Sequence, residues 1–451
     1  VTPPSLTTWL ADLGPAGPLP LDRLTACFLR FVRRHAGALR EARSAGLDRS
    51  VAGWRSTLAD ALRLVLRTTV ASLAHLEART PLEILWTRLH AGLPERPDIA
   101  AVLVARVCAD ALDEAVGHRF VAAFRERRQW RVSPGEPFPI GEPSLRDIFG
   151  RHLTTHPDVR DLPIDRTGRL ALAPEADGVE LVLDLDGGVA MPDAAAAIAV
   201  CLPLAAPLRE LTWDVDRERG RFGAVRARDP AAAAAAVRAL TAEALAAEAA
   251  IVVFPELAVD AAALPELARA AAAAPHRPLV VAGSQHVVVD GAPRNRATVI
   301  AGDARFTADK FNPFAFGDLV EDIVSAPAQV HVRGAIDGSG RFAWSVAVLI
   351  CKDFLSLGAH QLLTAARPSV VIVPALTERT AVFETDALGL TGTTQTTCII
   401  VNQVDPPDGA REDAAVAIVT RPVPWGLSEV VRRVEVTPPV CLLLSLRPDP
   451  P

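Results

Sequence analysis

The sequence predicts a helical N-terminal segment followed by an α/β layered domain. Two observations carry that prediction. Up to about residue 130, apolar residues recur at helical spacing with arginines between them; from about residue 165, short apolar runs alternate with Ala-rich stretches. The chain has 451 residues, half of them hydrophobic and 22% charged. At about 150 residues per domain, that length holds two or three domains with a sizeable core. The formal charge of −6 is mild. It gives no electrostatic reason to expect nucleic acid or a membrane surface as a partner.

The first segment places Leu21, Leu24, Phe28, Phe31 and Val32 on one helical face. A second helical run starts at Ser50 and extends to Thr80, where Pro81 ends it. A third starts at Pro97 and runs to about Trp130. Residues 1–150 hold 20 arginines against 16 acids, an excess that a solvated helical surface accounts for. Helices therefore fill a domain over 1–132. SPGEPFPIGEPSL (133–145) has the proline and glycine content of a linker. It opens a linker and short β-rich segment over 133–204, which includes VELVLDLD and AIAVCLPLA. Over 205–449 helices and strands alternate. Asp229 caps a helix that begins at Pro230; IVVF, PLVVAGS, RATVIAG, ARFTAD, FAWSVAVLI, SVVIVPA and CIIVNQ read as strands.

Six cysteines at 27, 108, 201, 351, 398 and 441 form no CxxC pair, and most lie in apolar runs. Buried reduced thiols in a cytoplasmic protein fit that pattern. No uncharged apolar run reaches the roughly 18 residues of a membrane helix. His152 and His156 stand four apart, but Pro157 follows and no Glu lies between them, so a zinc helix is not expected. His286, His331 and His360 form no pattern of a cysteine–histidine hydrolase. DGSGR (337–341) reads as a hairpin turn.

Three reactive side chains fall just past apolar strands: Glu256 after IVVF, Lys310 after ARFTAD, and Cys351 after FAWSVAVLI. Singly, a cysteine there is more often core and a Glu or Lys more often a solvated loop end. Together they form a working set at strand carboxyl ends, where functional groups of α/β proteins gather. A thiol attacks carbon, a carboxylate takes its proton, and an ammonium stabilises the negative charge that develops. Residue usage adds weight to Lys310. The chain has 45 arginines and two lysines, and the second lysine, Lys352, flanks the cysteine.

FPEL, DKFNPFAFGD and LICKDF, in that order, resemble the three signature segments of the nitrilase superfamily of carbon–nitrogen hydrolases. VVAGSQ with RNRATVI, IIVNQ with Asn402, and a closing VVRRVEV extend the resemblance over roughly residues 205–447. The resemblance implies an α-β-β-α sandwich, commonly paired as a homodimer, and metal- and cofactor-free cleavage of a small amide or nitrile. It implies Glu256 as general base, Lys310 as oxyanion lysine and Cys351 as nucleophile, with the N–H of Lys352 in the oxyanion hole. At the auxiliary glutamate position the chain has Asp318, with Glu321 close by. The charge of Lys310 is expected to favour the Cys351 thiolate. After the cysteine the family's FPE-like run is missing, and VDPPDGAREDAAVAIVTRPVPWG replaces the usual return segment, so substrate selection does not carry over. Two other functions share these residues. An N-acyltransferase would pass the same thioester to an amine, and a scaffold would keep the fold for partner binding without catalysis. The helical N-terminal domain is the natural surface for a protein partner.

Overall fold

A computed structural model describes residues 6–14, 17–66, 70–73, 76, 80–127, 129–141, 166–185, 197–324, 327–336, 342–404, 414–422, 428–434 and 436–445. The His152/His156 pair and the DGSGR turn lie outside the described residues.

The N-terminal segment folds as helices α1 (Leu6–Leu13), α2 (Leu21–Arg34), α3 (Ala36–Ser44), α4 (Leu47–Val65), α5 (Leu82–Gly92) and α6 (Pro97–Ala123). Helix α6 is the axis. Its Ala, Val and Leu residues are buried nearly all round, and α2, α3, α4 and α5 pack against it. A helix apolar on every side has to be enclosed in this way. The single helical run expected over 50–80 is broken. Helix α4 ends at Val65, and Val70–Ala71 pairs as a short strand with Leu19–Pro20.

Two sheets face each other in the remainder. The first has the order 304–309, 292–301, 279–289, 251–254, 197–202 and 440–445. The second has the order 428–433, 417–422, 397–402, 370–375, 342–348, 329–336, 180–184 and 129–132. Period-two alternation sorts the side chains. Ile198, Val200, Leu202, Ile251, Val253 and Val281 join the core shared with the second sheet. Ala199, Cys201, Val252, Phe254 and Val280 instead meet α7 (Pro230–Ala246) and α8 (Leu264–Ala273) on the outer face. Helix α7 starts as the sequence indicates, with the Asp229 side chain accepting from the Ala232 N–H at 3.0 Å. Helices α9 (Leu357–Ala366) and α10 (Thr380–Thr394) cover the second sheet. A small third sheet joins the hairpin 211–216/221–227 to the turn 315–316/319–321.

Strands 129–132 and 180–184 lie in the second sheet and strand 197–202 lies inside the first. AIAVCL is apolar throughout because both its faces are covered. The closing strand is 440–445, which returns to the first sheet beside 197–202; VVRR (430–433) instead lies in the edge strand 428–433 of the second sheet. Further contacts bind the N-terminal segment to this body. Buried Asp113 of α6 accepts from the Thr167 hydroxyl (3.0 Å) and the Arg169 N–H (3.1 Å), and Arg125 donates to the carbonyl of Ile336 at 2.8 Å.

Two glycines give a contrasting pair of expectations. A Cβ at Gly358 would lie 2.2 Å from the carbonyl oxygen of Ala176, whereas one at mid-helix Gly389 meets nothing within 4 Å. Gly358→Ala is expected to cost about 1–3 kcal/mol and Gly389→Ala to stabilise by up to about 1 kcal/mol, both read by urea denaturation. Equal effects would show that α9 is not seated against residues 176–179 as described.

Candidate active site

The three groups singled out from the sequence converge. Glu256 follows strand 251–254, Lys310 follows strand 304–309, and both strands run in the same direction in the first sheet. Cys351 follows strand 342–348 of the second sheet and opens the 3-10 turn Cys351–Leu355. The site therefore lies where strand carboxyl ends of the two facing sheets meet. Cys351 has φ +47°, in the left-handed region that a non-glycine residue rarely occupies. Such backbone strain is held only where surrounding contacts impose it.

Lys310 is 2% exposed. Its Nζ lies 2.8 Å from Glu256 Oε1 and 2.8 Å from Glu321 Oε2. Burial would lower its pKa, but Glu256, Glu321 and Cys351 outweigh burial and hold the ammonium charged. The Cys351 thiol lies beside Glu256 and the backbone N–H of Leu376. Burial, reinforced by the Glu256 charge, pushes the thiol up and overrides Lys310. The expected resting thiolate is therefore corrected to a thiol that keeps its proton beside Glu256.

The auxiliary carboxylate is also corrected. Asp318 is exposed on the turn, while Glu321 is buried beside Lys310. Glu321 accepts from Asn295 Nδ2 (2.8 Å), from the Phe314 N–H (2.9 Å) and from His286 Nε2 (2.9 Å). The N–H of Ala224 donates to His286 Nδ1 at 2.8 Å. That bond requires a bare Nδ1, so the ring proton sits on Nε2 and points at Glu321. Burial works against the Glu321 charge, but Lys310 and His286 prevail and bring its pKa down to about 2.

Three further residues organise the centre. Asn295 Nδ2 donates at 2.8 Å to both Glu256 and Glu321, bridging the two carboxylates. Asp353 accepts from the N–H groups of Phe311 (3.1 Å) and Asn312 (2.7 Å), tying the cysteine turn to the segment after the lysine; burial raises its pKa to about 8. Asn402 accepts the Thr377 N–H (2.9 Å) and donates to the carbonyls of Thr377 (2.8 Å) and Ala415 (3.0 Å). It thus fixes the loop whose Leu376 N–H lies beside the thiol. Lys352 is exposed, with its ammonium 3.4 Å from the carbonyl of Pro313. Sequence reading missed Asn295 and His286. One signal was present for Asn295: Ala297 and Val299 are buried on the same face of its strand, so a polar residue there needs a partner.

No family model and no curated protein matches the chain. Among solved structures it matches an amidase from Nesterenkonia sp. at 16% identity and TM-score 0.38, covering 56% of this chain and 90% of that one. A CN-hydrolase superfamily protein from Xanthomonas campestris, solved with an arsenic adduct in its active site, matches at 16% identity and TM-score 0.38, covering 56% and 91%. A double mutant of the amidase from Nesterenkonia sp. AN1, in complex with acrylamide, matches at 15% identity and TM-score 0.38, covering 57% and 93%.

The buried pairing makes a pH-dependent prediction. Glu321 has its folded pKa depressed below the usual 4.3 or so of a glutamate. Its contribution to stability is therefore present above that value and lost as pH falls toward about 2. Glu321→Gln is expected to cost about 3 kcal/mol at pH 7, by chemical denaturation, with the gap to wild type closing below pH 4 or so. A gap independent of pH would place the stabilisation elsewhere.

Proposed function

We propose that this chain cleaves the carbon–nitrogen bond of an amide or nitrile through a thioester on Cys351. One observation carries the reading: a strained, buried cysteine shares one cavity with a carboxylate that itself pairs with a buried lysine at 2.8 Å. For an amide, Cys351 Sγ attacks the acyl carbon as its proton passes to Glu256. Two of the three Lys310 ammonium protons can serve the carboxylates, leaving one for the oxyanion together with the N–H of Lys352. The tetrahedral adduct collapses, and the departing amine takes the proton from Glu256. Glu256, again a carboxylate, then removes a proton from water as the water attacks the thioester; the C–S bond breaks, that proton passes to Cys351 Sγ, and the acid leaves. An acceptor amine in place of that water would make the same chain an acyltransferase.

The neutral resting thiol supports a coupled step. A free thiolate beside Glu256 and Glu321 would put three negative charges against one lysine, whereas transfer to Glu256 during attack keeps the net charge of the centre constant. Intact mass after incubation with amides tests the thioester: an acyl adduct is expected on the wild type and absent from Cys351→Ala, whose turnover should vanish. Turnover that survives in Cys351→Ala would end the proposal. Lys310→Arg is expected to lower kcat by about 10²–10³, because a planar guanidinium cannot replace a compact ammonium between two carboxylates. A rate near wild type would remove Lys310 from the chemistry.

A further inference from the structure

Resting on the amide-cleaving reading, we propose that the acyl group this site accepts is long and apolar, selected by hairpin 211–227 together with the turn 314–319. A cavity of about 780 Å³ opens over Cys351, Glu256 and Lys310. That size suits a drug-sized ligand, far larger than a simple aliphatic amide. Half the residues lining it are large and apolar. Hairpin residues Trp213, Val215 and Phe222 form one wall, and Phe314 and Phe316 of the turn form another. Trp213 already donates its indole N–H to the carbonyl of Leu208 at 3.0 Å, so its polar edge is satisfied and its ring is left for apolar contact.

Charge is distributed unevenly in this cavity. Glu256, Lys310 and Glu321 pair with one another at its floor, and Glu378 and Arg379 lie on the loop that follows Leu376. The hairpin and the turn supply only uncharged side chains to the cavity. Toward the mouth the apolar residues reach solvent: Phe316 is 71% exposed, Val215 42% and Phe314 39%. Apolar side chains gathered in solvent around a concave site mark a surface made to be covered. An acyl chain bonded to Cys351 Sγ can run up these walls and cover them. A small acyl group would leave them wet and gain nothing from them. The walls are also tied to the chemistry, because Ala224 of the hairpin holds His286, and Glu321 continues the turn.

The test uses the full chain and compares kcat/KM for acetamide, hexanamide, decanamide and N-decylacetamide by release of ammonia or amine. Each methylene buried against the walls is expected to add about fourfold, hence about 10²-fold from acetamide to hexanamide. Replacing Val215→Asp and Phe316→Asp together should lower the decanamide-to-acetamide ratio at least about tenfold, with thermal melting as the check on folding. A flat or falling series, or a preference for N-decylacetamide, overturns the proposal. Intact mass separates the two levels. A small electrophilic amide that labels Cys351 alongside a flat series sinks the selectivity alone. An unlabelled Cys351 with no turnover of any amide sinks the amide-cleaving reading and this proposal with it.

Discussion

The buried triple contact of Lys310 with Glu256 and Glu321 is the constraint on which the rest of the site depends. Two carboxylates taken out of water at this depth need a cation between them and donors on their remaining lone pairs. Asn295, His286 and the Phe314 N–H supply those donors. Burial, reinforced by the Glu256 charge, is why the Cys351 thiol keeps its proton. The two carboxylates consequently differ in what they can do. Glu321 has every visible donor directed at it and is held as an anion. Glu256 lies beside the thiol, and the proposed function assigns the proton transfer to it.

Much of this centre was legible in the sequence for a physical reason. Glu256, Lys310 and Cys351 each follow a short apolar run, and side chains at strand carboxyl ends converge by topology whatever the intervening loops do. Lysine usage sharpened one position, since a chain otherwise written in arginine keeps lysine where a small cation fits. Asp318 and Glu321 could not be separated in the same way. Which carboxylate turns inward depends on the path of the turn 315–321 and on strand 319–321 lying parallel to 221–222, a long-range pairing with no local signal. His286 was hidden for the same reason, because its partner N–H comes from Ala224, 62 residues earlier. The thiolate expectation failed on burial, which a motif does not report.

In the fold, strands 251–254, 370–375 and 397–402 were readable because both their faces are covered and the runs are apolar throughout. The proline and glycine content of 129–202 suits a linker, yet short strands on either side of the Pro-rich segment pair in the second sheet. Helix α6 was visible as a long helical run, but its position as an axis enclosed by four others follows only from packing.

Strand 129–132 stands at the rim of the sheet that carries Cys351, and it is supplied by the helical segment. Removing that segment would leave the N–H and C=O groups of strand 180–184 unpaired along an open edge, a template for self-association. One apolar core also runs without interruption from Trp9 and α6 through both sheets. Cooperativity in this protein therefore belongs to the whole chain: the helical segment is the seal on the sheet edge of the half that carries Cys351.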